Sequence, residues 1–124
     1  MNDKILKIGI ISREDYQKRT LAIARGEYKP KSDEPKIWFE SLQSIAHVLS
    51  SENRELLKII LKNKPDSLQE LETVTGRKTS NLSNTLRLMA RYGIVKLEED
   101  TKSIRPIIMA TDFKVEFGLN TPSG

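Results

Sequence analysis

The 124-residue sequence contains no cysteine and a single histidine, His47. Without cysteine the chain can form neither disulfides nor thiolate metal sites, and one histidine cannot supply the several ligands that a metal ion needs. We therefore predict a protein without a metal site or other cofactor. The absence of cysteine is also consistent with a cytoplasmic location, because disulfides mark chains that fold in oxidising compartments.

Long apolar runs are absent as well. No stretch approaches the roughly 20 apolar residues of a membrane-spanning helix, and no charged-then-apolar leader follows Met1, so the start of the chain is predicted to be mature protein. Charged residues make up 31% of the chain and apolar residues 37%. These values predict a soluble globular protein with one modest core and no membrane contact.

Motifs for catalysis are also missing. No GxSxG motif surrounds a serine, and Gly76-Arg77-Lys78-Thr79 resembles only the end of a phosphate-binding loop, without its upstream glycine or preceding strand. The acidic run Glu98-Glu99-Asp100 lies at a predicted hairpin tip, where solvation explains it. We predict that the protein is not an enzyme.

Negative charge is lacking from one segment. Residues 73–97 contain no carboxylate, whereas the same segment holds Arg77, Lys78, Arg87, Arg91 and Lys96. The net charge of the whole chain is only +4, so its basic residues are concentrated here. A solvated face usually mixes both signs, and a basic segment without compensating acid indicates a polyanionic partner.

Periodicity and capping signals predict an α+β fold that is mainly α. A strand at 4–11 precedes a helix at about 12–25, in which Tyr16, Thr20, Ile23 and Ala24 share one side. After a linker, an aromatic segment at 37–39 precedes four helices whose predicted N-caps are Ser41, Ser51, Ser67 and Thr79. The aromatic pair Trp38 and Phe39 is predicted to be core, although base stacking and a dimer contact remain alternatives.

Strand patterns follow the last helix. Runs at 94–98 and 104–109 predict a hairpin, and "DFKVEFGL" predicts a strand with one dry face. Each terminal strand would leave an open edge if alone, so we predict that the two strands pair either with each other or across a two-fold axis. The tail "NTPSG" is predicted to be disordered.

The helix predicted at 79–92 has two distinct sides. Leu82, Leu86 and Met89 share an apolar side at helical spacing, and small polar residues followed by arginines occupy the opposite side. Capping explains Thr79 and the helix dipole explains Arg91, but neither explains Asn84 and Arg87 in the middle of the helix. Asparagine can bond an adenine edge and arginine a guanine edge or a phosphate.

These features predict contacts with double-stranded DNA through the helix and its flanks. The residues predicted to contact base edges are Ser80, Asn81, Ser83, Asn84 and Arg87. The residues predicted to contact phosphates, or to reach DNA from the hairpin, are Arg77, Lys78, Thr79, Arg91, Lys102 and Arg105.

The phrase "SLQELETVTGRKTSNLSNTLRLMARYGIV" within residues 51–109 resembles the winged helix-turn-helix of MarR-like and ArsR-like regulators. The terminal strands further resemble a group of small, poorly characterised DNA-binding proteins, some of them antitoxin-like regulators. The resemblance implies a dimer on an operator, read in the major groove by helix 79–92. The long flanking dimerisation helices of sensory MarR-type regulators are absent here, which argues against their conventional effector pocket.

The predicted organisation has three parts: an N-terminal strand-helix extension and linker (1–35), a winged helix-turn-helix (36–110), and a C-terminal strand with its tail (111–124). The predicted function is that of a homodimeric transcriptional regulator that represses by operator occupancy. The alternative is a protein-interaction module, such as an antitoxin-like regulator that binds a partner toxin through its N-terminal segment.

Overall fold

The computed structural model describes residues 4–119, so the predicted disorder of "NTPSG" lies outside the described residues. This part of the chain is mixed α/β and mostly helical. Its elements follow the order β1 (Ile5–Ile10), α1 (Arg13–Ala24), β2 (Ile37–Phe39), α2 (Leu42–Val48), α3 (Ser51–Asn63), α4 (Leu68–Thr75), α5 (Thr79–Arg91), β3 (Val95–Glu99), β4 (Ile104–Ile108) and β5 (Asp112–Glu116). None of the described helices is long and apolar enough to cross a membrane.

The larger sheet joins the two ends of the chain. Its strands are all parallel in the order β2-β1-β5, so β1, α1 and β2 form a βαβ unit to which β5 is added. Ile8 of β1 lies opposite both Ile37 and Val115. Of the two predicted pairings of the terminal strands, the one within the chain is therefore confirmed. β3 and β4 form a separate antiparallel hairpin, as predicted.

One side of the larger sheet forms part of the core. Ile8 and Phe39 are buried there with the apolar residues of α2–α5, and the Phe39 ring stacks on Tyr92 with centroids 4.0 Å apart. Phe39 is thus a core residue, as predicted. The same prediction is wrong for Trp38, which is half-buried on the other side of the sheet. Its ring covers Gly9 so closely that a Cβ added at that position would lie 2.5 Å from it.

Two predicted N-caps are wrong by one residue. Helix α3 is capped by Ser50 rather than Ser51, and its hydroxyl accepts a hydrogen bond from the Asn53 amide at 3.2 Å. Helix α5 has Lys78 at its N-cap position rather than Thr79, and the Lys78 side chain makes no capping hydrogen bond. The predicted caps Ser41 and Ser67 are confirmed.

The predicted dry face of the last strand is wrong in part. Phe113 is half-buried there, but Val115 is 41% exposed and Phe117 is 58% exposed. Helix α1 buries none of its residues, and Tyr16 and Ile23, which spacing places on one side, are 47% and 38% exposed. No other element of the described chain covers these side chains.

Candidate nucleic-acid interface

Helices α4 and α5 are joined by a short turn at Gly76, whose φ of +75° lies in the left-handed region that glycine adopts without strain. Leu82, Leu86 and Met89 of α5 are each 0% exposed, and α4 supplies Leu71 to the same core. Because the apolar side of α5 is fully buried, its opposite side must face outward. We call this outward side of α5, with the turn before it and the β3–β4 hairpin after it, the α5 surface.

The first turn of α5 is held by a carboxylate from α4. Glu72 Oε2 accepts hydrogen bonds from the Thr79 backbone N–H at 2.6 Å and the Thr79 hydroxyl at 2.7 Å. These hydrogen bonds, the one from the hydroxyl first, lower the pKa of Glu72 below the usual value of a carboxyl group. A negative charge also suits the positive end of the helix dipole. The hydroxyl predicted to contact DNA is therefore engaged inside the protein.

Arg77 lies along the flank of α5. Its Nε donates to Asn81 Oδ1 at 2.9 Å and its Nη2 donates to Thr85 Oγ1 at 3.2 Å, and its side chain is half-buried. The structure thus brings together Arg77 and Asn81, two residues predicted to contact DNA. Their mutual hydrogen bond fixes the guanidinium beside the first turns of the helix.

Arg87 connects α5 to the hairpin. Its Nε donates to Ser83 Oγ at 3.2 Å, and its Nη2 forms an ion pair with Glu99 Oε1 at 3.1 Å. Both members of the ion pair are about half exposed, so the pair is weak and open to exchange with another anion. The structure therefore brings Ser83 and Arg87, both predicted to contact bases, into contact with each other, and it pairs Arg87 with Glu99.

A second ion pair crosses the hairpin. Arg105 binds Glu98, which lies directly opposite it in the β3–β4 register. The Arg105 hydrogen bond lowers the pKa of Glu98 below its usual value. The segment that lacks carboxylates in sequence is thus partly neutralised in space by hairpin acids. Glu98 and Glu99 follow the segment directly in sequence, so this neutralisation has a sequence signal. The prediction that they lie solvated at the hairpin tip is wrong, because both lie in β3 and bind arginines.

The hairpin tip is organised by Asp100. Its Oδ1 accepts hydrogen bonds from the Lys102 and Ser103 backbone N–H groups at 2.8 and 2.9 Å. These hydrogen bonds lower the pKa of Asp100 below its usual value. The turn places Lys102 at the exposed end of the hairpin, and its side chain has no ion-pair partner among residues 4–119.

The other predicted residues keep their polar groups available. Ser80 and Asn84 are exposed on α5, and their side chains make no hydrogen bond to any part of the chain that the structure describes. Four exposed cations likewise lack an ion pair within that part: Lys78, Arg91, Lys96 and Lys102. An open groove of about 500 Å³ lies between α5 and β3 and is lined by both partners of the Arg87–Glu99 pair.

Outside the α5 surface the polar clusters serve the fold. Arg19 of α1 lies 5.2 Å from the centre of the Trp38 ring and 5.3 Å from that of Tyr28, and it forms an ion pair with Glu34 at 3.2 Å. This cluster ties α1 to the loop before β2. Between residues 4 and 119 no three histidine, cysteine or acidic residues are grouped so as to hold a metal ion, and His47 is exposed.

A protein-family model, HVO_A0114, matches residues 48–115, which is more than half of the chain. The chain therefore belongs to the HVO_A0114 family. No curated protein and no solved structure shows a significant match to it. The matched segment includes α3, α4, α5, the hairpin and nearly all of β5. The match supplies a family but no activity.

Proposed function

We propose that this member of the HVO_A0114 family is a homodimeric transcriptional regulator, similar to MarR-like and ArsR-like proteins, that binds double-stranded DNA. In this proposal α4 and α5 are the two helices of a winged helix-turn-helix, and the β3–β4 hairpin is its wing. The protein would act by occupying an operator in the cytoplasm, without catalysis and without a cofactor. The observation that carries the proposal is the α5 surface, where Ser80 and Asn84 are exposed and lie among cations, and neither they nor these cations have a partner within residues 4–119.

Base reading is assigned to the middle of α5. The major groove of B-DNA is about 12 Å wide and admits a helix. Ser80 and Asn84 are exposed and have no hydrogen bond within residues 4–119 to give up, so contact with a base edge costs no internal bond. Asn84 has the amide group that can donate to and accept from one adenine. Ser83 and Asn81 flank these two residues and already support Arg87 and Arg77.

Phosphate binding is assigned to the cations around this centre. Lys78 precedes α5, Arg91 ends it, and Lys96 and Lys102 lie on the hairpin. They flank the base-reading residues from both ends of the helix, which is the arrangement that fixes a helix in a groove. Arg87, predicted from the sequence to contact a base edge, and Arg105 are held by Glu99 and Glu98, and we assign both to phosphates that would replace these carboxylates. We therefore expect these two arginines to contribute less than the unpaired cations to the affinity for random-sequence DNA.

The proposal is tested by fluorescence anisotropy of a labelled random-sequence duplex over a salt series. We expect the logarithm of the association constant to fall linearly with the logarithm of salt, with a slope of about −0.9 per phosphate contacted. Lys78→Ala should reduce the magnitude of that slope by about one. Lys18→Ala on α1, which removes a cation of the same type, is the matched control and should leave it unchanged. Absence of binding even at low salt would contradict the proposal.

A second candidate function is favoured by the exposure of α1. Tyr16, Leu21 and Ile23 are between 38% and 52% exposed, as expected for a helix that binds another protein such as a toxin. β1 of the same segment is paired in the sheet, so α1 rather than β1 would be available to such a partner. Leu21→Asp separates the two functions, because it should abolish binding of a protein partner and leave the affinity for duplex DNA unchanged.

A further inference from the structure

We propose that two copies of this chain associate through β5, which pairs antiparallel with β5 of the second copy about a two-fold axis at Val115. The two three-stranded sheets would then form one continuous six-stranded sheet. The inference rests on the proposed function in one respect, since it supplies the interface of the proposed dimer. Its test uses no DNA, so failure of this interface and failure of DNA binding are measured separately.

The open edge of β5 provides the backbone for this pairing. In the described chain β5 is the last strand of the order β2-β1-β5 and pairs only with β1. Its other edge therefore presents backbone N–H and C=O groups of the kind that pair with another strand. Five residues form the strand, Asp112–Glu116, which is long enough for a symmetric ladder.

Exposed apolar side chains lie along the same edge. Phe113 and Val115 lie opposite Leu6 and Ile8 of β1, so they occupy the core side of the sheet. Phe113 is half-buried, but Val115 is 41% exposed and Phe117, just after the strand, is 58% exposed. The apolar surface thus continues from the core toward the open edge, where nothing in the described chain covers it.

The sequence of this segment is complementary to itself. Phe113-Lys114-Val115-Glu116-Phe117, read antiparallel about Val115, places Phe113 opposite Phe117 of the second copy and Lys114 opposite Glu116 of the second copy. A two-fold axis at Lys114 or Glu116 would instead place like charges opposite each other. Opposite charges and aromatic pairs on directly facing positions stabilise antiparallel strands, and like charges destabilise them. The alternation therefore excludes an axis at Lys114 or Glu116. An axis at Phe113 would also pair opposite charges, Asp112 with Lys114, but it would leave Glu116 and Phe117 outside the pairing, so we place the axis at Val115 with a second copy of this chain as the occupant.

The charged side of β5 carries an exposed cation, Lys114, that can take part in this pairing. Glu116 forms an ion pair with Lys7 of β1 at 3.2 Å, but both its side chain and the exposed Lys114 face solvent. Lys114 has no ion-pair partner within residues 4–119. In the symmetric pairing each Glu116 would lie between Lys7 of its own chain and Lys114 of the other. The pairing thus neutralises Lys114 of each copy with Glu116 of the other copy.

The test is sedimentation equilibrium of the full chain and of three charge variants. We expect the wild-type chain to be dimeric. Lys114→Glu and Glu116→Lys should each raise the dissociation constant of the dimer by about tenfold or more, because a dimer of either variant contains two pairs of like charges. An equimolar mixture of the two variants should dimerise again, since each copy then meets the opposite charge. Lys7→Gln is the control, because it removes the internal ion pair of Glu116 without changing β5, and it should remain dimeric.

Circular dichroism of each variant verifies that it is folded, and a variant that is not folded is replaced by Val115→Lys, which places two cations at the proposed axis. A wild-type chain that stays monomeric at millimolar concentration would overturn the proposal. Dimers that are unaffected by Lys114→Glu and Glu116→Lys would overturn the β5 interface. Failure of the mixture to recover the dimer would overturn the register about Val115.

Discussion

The α4–α5 region and the α1–β5 region treat their apolar residues differently. Leu71, Leu82 and Leu86 in the first region are 0% exposed, whereas Leu21 of α1 and Phe117 after β5 are 52% and 58% exposed. Both regions carry an exposed ion pair, Arg87–Glu99 on the α5 surface and Glu14–Lys18 on α1, so the contrast lies in the burial of apolar side chains. The first region buries these leucines beneath the polar side of α5, although Val74 of α4 is 51% exposed, whereas the second leaves Leu21 and Phe117 uncovered within residues 4–119.

This contrast separates two kinds of partner. A helix whose apolar side is satisfied inside the chain can use its outer side only for polar recognition, which suits a nucleic acid. A strand edge with exposed valine and phenylalanine is stabilised by excluding water, which suits another polypeptide. The two proposals therefore concern different surfaces and different chemistry.

The largest expected effect concerns stability and tests the burial contrast. Leu82→Ala should lower the free energy of unfolding by about 2–5 kcal/mol, because it removes a fully buried side chain and leaves a cavity. Leu21→Ala on α1 should change it by less than about 0.5 kcal/mol, since that side chain is exposed. Urea denaturation of both variants measures the difference. Similar losses in the two variants would show that α1 is covered in solution.

The next effect concerns specificity. Asn84→Ala should cost about 1–3 kcal/mol of binding to a duplex selected from a random library, because it removes a base contact. It should have little effect on binding to random DNA, where the phosphate contacts dominate. Anisotropy titrations of the two duplexes measure the two costs. Equal losses on both duplexes would contradict the assignment of Asn84 to a base edge.

A smaller effect tests the exchange of carboxylate for phosphate at Arg87. Glu99→Gln removes the acid that binds Arg87 and lowers the negative charge of the α5 surface. We expect tighter binding to random DNA and a salt slope steeper by about one, since one more cation is free for phosphate. Glu14→Gln, which breaks the exposed ion pair with Lys18 on α1, is the matched control. Unchanged binding in Glu99→Gln would place Arg87 outside the phosphate contacts.

The smallest effect concerns pH. The pKa of Glu72 is lowered in the folded state by its hydrogen bonds from Thr79, so its stabilising contribution is present at neutral pH and is lost as the pH falls through that lowered pKa. Glu72→Gln should therefore reduce the Tm at pH 7, and its difference from wild type should shrink in acid. Thermal scans over this range measure the shrinkage. Glu55→Gln on α3, an exposed acid whose side chain has no hydrogen bond within residues 4–119, is the matched control for the loss of one negative charge.

Local patterns were sufficient for most of the fold. The hairpin and the buried side of α5 were predicted because they depend on spacing and on turn residues close in sequence. The cover of α1 and β5 could not be predicted, since spacing identifies an apolar side but not the element that would bury it. The cap of α5 was missed for a similar reason, because Glu72 reaches it from the preceding helix.

The sequence identified the exposed residues of the candidate site but not the ion pairs that some of them form. The exposure of Ser80, Asn84 and Arg91 follows from helical spacing alone. The ion pairs of Arg87 and Arg105 depend on how the hairpin folds back toward α5 and across itself, which linear charge counting does not include. A segment without carboxylates can therefore still be neutralised by carboxylates from elsewhere in the fold. Its charge count is weaker evidence of a basic surface than the positions of the charges in the structure.

The most direct test of the central claim is a titration of the ¹⁵N-labelled chain with a short duplex, followed by amide chemical shifts. Binding through the α5 surface predicts that the shifts concentrate at residues 76–91 and at the hairpin, and that α1 amides stay unchanged. Shifts concentrated at α1 or β5, or no shifts at low salt, would contradict the account of α5 as a DNA-reading helix.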